Sequence, residues 1–278
     1  RAKTGELLVG SVTRDLTSHT VRCGDPRRVE AKGMGGLDAF PAEDLLFELP
    51  ALRAAPELSA PLVGRDRELR LLETTLERVA EERRAYVMTV FGSAGVGKSR
   101  LAQEWISRHH EAALVGRCLP YGEGITFWPV KEMLYTDAGI HPTDTRDEVK
   151  ARIRTAVLRA FGASDPDAEP VARRLTVLAG NVGAEEALPD VHPSNVAPEL
   201  RWAMRRYVER RAADRPVVLV FEDVQWAEPA LLDLIEHIAE WTRAPVFVLC
   251  LARPELLDAR PSWGGGKTNA AALTLEPL

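Results

Sequence analysis

Cysteine is scarce. Cys23, Cys118 and Cys250 are the three in 278 residues, an odd number, far apart and without a C-x-x-C pair. Their spacing argues against a disulfide frame or a zinc site, and for free thiols in a reducing compartment. Charge of one sign is also lacking: 36 basic residues against 41 acidic ones leave a net charge of −5. That bias is too small for a polyanion-binding face, so nucleic acid is not expected as a partner of these residues. Long apolar runs are missing as well. The longest candidate, Val246 to Ala252, falls far short of the ~18 residues of a membrane-spanning helix. No basic segment followed by an apolar stretch opens the chain. A cytoplasmic protein without a membrane partner is expected. His109-His110 and His237 have no partner at metal-ligand spacing, and no serine sits in a nucleophile elbow, so neither a histidine metal centre nor a hydrolase triad has support.

What is present is ample for a folded core: 45% of the residues are apolar, enough for one large or two modest domains. The most informative segment is Gly92-Ser93-Ala94-Gly95-Val96-Gly97-Lys98-Ser99, a complete G-x-x-x-x-G-K-S loop. It follows the strand-like run Tyr86 to Phe91 and precedes a helix-like stretch, which is the context the motif requires. Glycines let the backbone curl so that successive N–H groups face phosphate. Lys98 adds charge beside the β- and γ-phosphates, Ser99 offers a hydroxyl to Mg²⁺, and the following helix turns its positive end to the anion. The bland alternative is a flexible glycine turn. A second apparent loop end, Gly264-Gly265-Gly266-Lys267-Thr268, lacks both the leading glycine and a preceding strand, and reads as a mobile loop.

Leu69, Leu72, Leu76 and Val79 recur at helical steps and end in the charged run Glu81 to Arg84. Ala113 to Val115 reads as a short strand, and residues from about Trp128 to Arg211 read as mainly helical. Two buried-type strands follow, Val217 to Phe221 and Val246 to Leu251, around the helix-like Pro229 to Trp241. Continuous β-branched runs alternating with helices imply parallel strands covered on both faces, hence an α/β fold in three layers with a helical insertion. The run Leu273 to Leu278 alternates like a strand. A small α+β unit is expected from Arg1 to about Pro50, then a linker over 51–61 rich in Ala and Pro. Because the chain opens on Arg1 and closes on that strand-like run, further sequence is expected on both sides.

A phosphate loop needs an acidic contact for Mg²⁺ at the end of a nearby strand. Glu222 and Asp223 follow Phe221 there, at the carboxyl edge where ligands bind in open α/β sheets. One acid would serve the metal's water shell and the other would orient an attacking water. A surface acid pair after a strand is the alternative.

Four segments in order, Leu62-Val63-Gly64-Arg65-Asp66-Arg67-Glu68-Leu69, the loop through Arg100, Phe221-Glu222-Asp223-Val224-Gln225-Trp226-Ala227-Glu228-Pro229, and Leu251-Ala252-Arg253-Pro254-Glu255, resemble the AAA-type ATPase domains of the STAND class in large bacterial signalling regulators. The resemblance implies that Val63, Gly64 and Arg65 lie against the adenine of ATP. It implies that Arg253 senses the γ-phosphate, and that the strand before Arg253 lies between the loop strand and the acidic strand. This sequence departs from that family at Glu222, where Asp is usual, at Gln225 in place of His, and at Glu228 in place of Asp. Slow turnover, or a nucleotide switch with little hydrolysis, is the expected consequence. Arg65 and Arg253 could also be surface arginines, and Trp226 reads as packing.

Thr4 to Gly10, Glu30 to Met34, Phe40-Pro41-Ala42 and Asp44-Leu45 resemble the last third of a class III adenylate/guanylate cyclase domain. The metal-binding carboxylates and transition-state residues of that family lie upstream of such a segment, so these residues could not make a cyclic nucleotide by themselves. Together the likenesses imply a regulatory ATPase of residues 62–278 that uses ATP and Mg²⁺. Its partners would be its own upstream cyclase and downstream regulatory parts, with self-association open and a transcriptional output among the family's options. A non-hydrolysing nucleotide-holding scaffold is the second reading. A small-molecule phosphotransferase is a third, and it lacks any acceptor or lid motif.

Overall fold

The computed structural model describes residues 6–17, 21–31, 34–45, 62–109, 113–120, 126–141 and 143–277. The expected linker over 51–61, and with it Thr4, Gly5, Lys32, Gly33 and His110, lies outside the described residues. The chain divides into two units, Arg1–Ala51 with His141–Thr143, and Leu52–Ile140 with Asp144–Leu278.

In the first unit, β1 (Leu8–Gly10), α1 (Ser11–Thr17), β2 (Val21–Cys23), β3 (Arg27–Ala31) and β4 (Met34–Leu45) follow in order. The long β4 pairs antiparallel with each of the other three strands, through Leu8 to Pro41, Val21 to Leu45 and Arg27 to Ala39. Ala39 and Phe40 are buried, and the Arg14 guanidinium lies 4.1 Å from the Phe40 ring centroid. A small α+β unit is what the sequence leads one to expect here.

The second unit is built on a parallel sheet. Its elements are α2 (Asp66–Glu82), β5 (Tyr86–Phe91), α3 (Lys98–Ile106), β6 (Ala113–Arg117), α4 (Trp128–Ala138), α5 (Arg146–Phe161), α6 (Ala168–Leu178), α7 (Ala184–Ala187), α8 (Pro193–Arg211), β7 (Val217–Glu222), α9 (Pro229–Trp241), β8 (Val246–Ala252), α10 (Leu256–Ala259) and β9 (Ala270–Thr274). The strand order is β6-β7-β8-β5-β9, with every pairing parallel. β8 therefore lies between the loop strand β5 and the acidic strand β7, in the order the family resemblance implies.

Side chains alternate across a strand, which explains the unbroken apolar runs. Val218, Val220, Phe247 and Leu249 face one layer with Leu72, Val79, Leu101, Trp105 and Ile106 of α2 and α3. Val217, Leu219, Phe221, Val246 and Val248 face the other, with residues such as Met133, Ile153, Leu175, Met204 and Ile235 from the helical insertion and α9. Each such side chain contributes roughly 1.5–3 kcal/mol by leaving water. Helix ends are chosen locally. Thr145 and Glu148 form a reciprocal capping box at α5, and Gly139 closes α4 in the left-handed conformation. No helix among the described residues is long and apolar enough to cross a membrane.

Three sequence expectations are modified. The strand expected over 273–278 is β9, at Ala270–Thr274, because its register follows β5 from Val87–Ala270 to Phe91–Thr274 and β5 ends there. The segment read as a mobile loop is anchored: Trp263 is buried and donates from Nε1 to Thr89 Oγ1 at 2.9 Å, while Lys267 reaches Glu236 at 3.0 Å. Trp226, read as packing, is 44% exposed.

One glycine fixes the approach of α4 to the sheet. A Cβ at Gly116 would sit 2.2 Å from the Pro129 carbonyl oxygen and 2.6 Å from its carbonyl carbon and Cα. The obstacle is backbone, so a whole helix start must move to admit a methyl group. Gly116→Ala is expected to cost about 3 kcal/mol, read as a lowered urea midpoint with an unchanged slope.

Candidate functional site

The site begins where β5 runs out. Gly92 leaves no room for a side chain, since a Cβ there would lie 2.7 Å from Val96 Cγ1 and 3.1 Å from the Leu275 carbonyl oxygen. Gly95 (φ 77°) and Gly97 (φ 100°) take left-handed backbone, which glycine alone adopts without strain. Ser93, Ala94 and Gly95 form the exposed rim of this turn. Gly97 is the N-cap of α3, and no side chain caps the helix. The first N–H groups of α3 therefore keep their donors for an anion.

Lys98 opens α3 and is 8% exposed. Its ammonium donates to the Gly92 and Ser93 carbonyls at 2.7 and 3.0 Å. Burial lowers its pKa; Asp223 and Glu255 push it back up and Arg253 adds to the lowering. A cation held by neutral carbonyls within reach of mixed charges suits an incoming polyphosphate. Ser99 is half-buried in the first turn of α3, whereas Arg100 is exposed, 3.7 Å from Glu104 on the same helix.

The segment before α2 closes the loop from the other side. Val63 is 67% exposed and Gly64 is left-handed at φ 73°. Arg65 is buried. Its guanidinium donates to the Val96 carbonyl at 3.3 Å and the Glu276 carbonyl at 2.6 Å, and pairs with Glu68 at 3.3 Å. Arg65 thus staples the loop to the chain that follows β9. Beside it opens a cavity of about 700 Å³, lined by Arg65, Arg67, Glu68, Leu71, Leu273 and Thr274 among others.

The acidic edge comes from β7. Glu222 ends the strand, almost buried, and Asp223 turns the chain in left-handed conformation at φ 56°. An aspartate there carries about 1 kcal/mol of backbone strain. Asp223 Oδ1 accepts a hydrogen bond from Gln225 Nε2 at 3.3 Å, and Gln225 Oε1 accepts from the Arg253 N–H at 3.0 Å. Gln225 therefore bridges the ends of β7 and β8. The Arg253 guanidinium lies 6.0 Å from the Trp226 ring centroid, and Glu228 is hydrogen-bonded to Thr126.

Arg117, at the end of β6, is in register with Glu222. It donates from Nε and Nη2 to Glu222 Oε2 at 3.0 and 2.6 Å, and its Nε is 3.6 Å from Asp223 Oδ2. Its backbone N–H donates to Glu132 Oε2 at 2.7 Å. Burial works against the Arg117 charge, but Glu222, Asp223 and Glu132 outweigh it and raise the guanidinium pKa. Glu132 is buried on α4, and burial raises its carboxyl pKa. Arg117 and Glu132 have no motif status in the sequence, and Gln225 stands there only as a departure from the family pattern. The one signal for Arg117 is a charged residue closing an apolar strand, and the register that gives it meaning is tertiary.

Among the described residues no group of three or more His, Cys, Asp or Glu could hold a metal ion alone. Ser99, Glu222 and Asp223 offer the oxygen donors that Mg²⁺ favours, and such sites normally complete their shell with phosphate oxygens and water. The donor set therefore fits Mg²⁺ as a companion of a nucleotide. His109 pairs with Glu73 at 2.9 Å. His237 Nε2 is buried without a partner, and burial, with Arg205 and Arg201, lowers its pKa. Cys118 is buried beside the acidic edge, its thiol pushed up to about 12 by burial and by Asp223 and Glu132, so it stays a protonated thiol.

Comparison with known proteins adds a family. The sequence profile described as "AAA ATPase domain" matches residues 61–249. No curated protein matches the chain. Similar solved structures include the Orc1 protein of Aeropyrum pernix in complex with DNA, at 17% identity and a TM-score of 0.38 over 81% of this chain. Another is a Signal Transduction ATPase with Numerous Domains (STAND) protein with a tetratricopeptide repeat sensor from Pyrococcus horikoshii, at 14% identity and a TM-score of 0.36 over 78% of this chain. The chain spans 48% of the first and 23% of the second.

Proposed function

The chain belongs to the AAA ATPase domain family, and on that premise we propose that residues 62–278 bind Mg-ATP and hydrolyse it slowly, as the nucleotide-controlled part of a signalling regulator. The observation that carries this reading is the convergence of an uncapped α3 and the carbonyl-held Lys98 with Asp223 at one end of a parallel sheet. In this reading the loop N–H groups and Lys98 grip the β- and γ-phosphates, and Ser99, Glu222 and Asp223 hold Mg²⁺. The metal supplies charge neutralisation on the phosphoryl oxygens. Asp223, kept in place by Gln225, orients the attacking water, and Arg253 reads the γ-phosphate from the end of β8. The cavity beside Arg65, with Leu71 and Leu273 in its wall, is large enough to receive the base, which supports a role for Val63, Gly64 and Arg65 in nucleotide contact.

For residues 1–50 the reading is the end of a class III cyclase domain, supported by the antiparallel pairing around β4 and the quoted resemblance. A cytoplasmic location accords with the three unpaired cysteines. A second reading, a module that holds nucleotide without turning it over, is favoured by the Arg117 grip on Glu222. Phosphate release separates the two. Asparagine tolerates the left-handed backbone at 223, so Asp223→Asn is expected to fold normally. If the site hydrolyses ATP, the substitution should lower steady phosphate release by a factor on the order of 10² or more. Absence of release from the unmodified protein would favour the holding module.

A further inference from the structure

The Arg117 guanidinium faces both carboxylates at the end of β7. Arg117 directs two N–H groups to the same Glu222 oxygen, at 3.0 and 2.6 Å, and brings Nε to 3.6 Å from Asp223 Oδ2. Its backbone N–H binds buried Glu132. The Glu222 side chain is 10% exposed while that of Arg117 is 50% exposed. The acid therefore draws little of its solvation from water, and the guanidinium has an open path away from it. A nearly buried carboxylate requires a compensating charge, and here an arginine supplies it.

We propose that Arg117 is the resident counter-cation of the Glu222/Asp223 pair, and that a divalent metal reaches Glu222 Oε2 only by displacing its guanidinium. This inference rests on the nucleotide reading given above and adds a property to it: ATP is held with little dependence on metal. Two cations cannot share one carboxylate oxygen at contact distance without mutual repulsion, so the affinity that Mg²⁺ adds is offset by the broken ion pair. Asp223, which Arg117 touches more loosely and which acts on Lys98, remains the acid open to the nucleotide.

The test is ATP affinity measured by calorimetry in excess MgCl₂ and again in EDTA. The unmodified protein should show a metal effect within about threefold. Arg117→Ala should raise that ratio by about tenfold or more, the change expected when a competing unit charge is removed. Arg117→Lys keeps the charge but cannot fork two bonds onto one carboxylate, and should fall between. A mere structural pair would not move this ratio. If Arg117→Ala fails to fold by circular dichroism, Arg117→Lys carries the test, and a ratio equal to that of the unmodified protein overturns the proposal. A large metal effect in the unmodified protein, unchanged by either substitution, also overturns it while leaving ATP binding intact. Failure of the unmodified protein to bind ATP in either buffer would instead remove the nucleotide reading itself.

Discussion

Lys98→Ala is expected to weaken Mg-ATP binding by about a hundredfold or more. Truncating one member of a buried, hydrogen-bonded charge contact costs about 2–5 kcal/mol, and each 1.4 kcal/mol is a factor of ten. Lys98 is almost buried and its bonds run to two carbonyl oxygens of the loop, so phosphate would be its first fully charged partner at contact distance. The effect on folding should be small, because the alanine removes a desolvated cation together with its own penalty. Circular dichroism should therefore be unchanged while a calorimetric titration with Mg-ATP flattens. Undiminished affinity in the alanine protein would detach the loop from nucleotide binding altogether.

Trp105→Ala should give the largest loss of stability, about 4 kcal/mol. The indole is 1% exposed in the layer between the sheet and helices α2 and α3. Its ring meets Phe247 edge-on at 5.5 Å, and its Nε1 donates to Glu73 Oε2 at 3.1 Å. Truncation leaves a cavity under the helix that carries Lys98, while Glu73 keeps its contact with His109. For a domain of this size the melting temperature should fall by about 10 °C. Trp241→Ala, at a site 53% exposed, should shift stability by no more than about 0.5 kcal/mol. Equal losses at the two positions would contradict the layer assignment.

Much of the second unit can be read along the chain. The loop announces itself because its glycines meet local backbone demands, and the strand and helix around it show their own periodicities. β7 and β8 are visible as β-branched runs because both faces are covered, and their order relative to β5 follows from the family resemblance. The site is only partly readable in this way. Arg65 looks like a residue beside a base, yet its side chain spends its hydrogen bonds on the Val96 and Glu276 carbonyls. Arg100 continues the motif in sequence, but as a helix residue it points along α3 to Glu104. Gln225 reads as a departure from a family pattern, and its role as a bridge between Asp223 and the Arg253 N–H appears only when β7 and β8 are laid side by side.

Residue order alone determined the phosphate-loop geometry and the alternation of strand and helix, because both follow from dihedral preferences and apolar spacing within a few neighbouring positions. Tertiary structure alone decided which cation meets the acids. Arg117 and Glu222 are separated by 105 positions and face each other through the parallel register of β6 on β7. Strands that are buried on both faces carry continuous apolar runs, so no local pattern in either strand encodes that pairing.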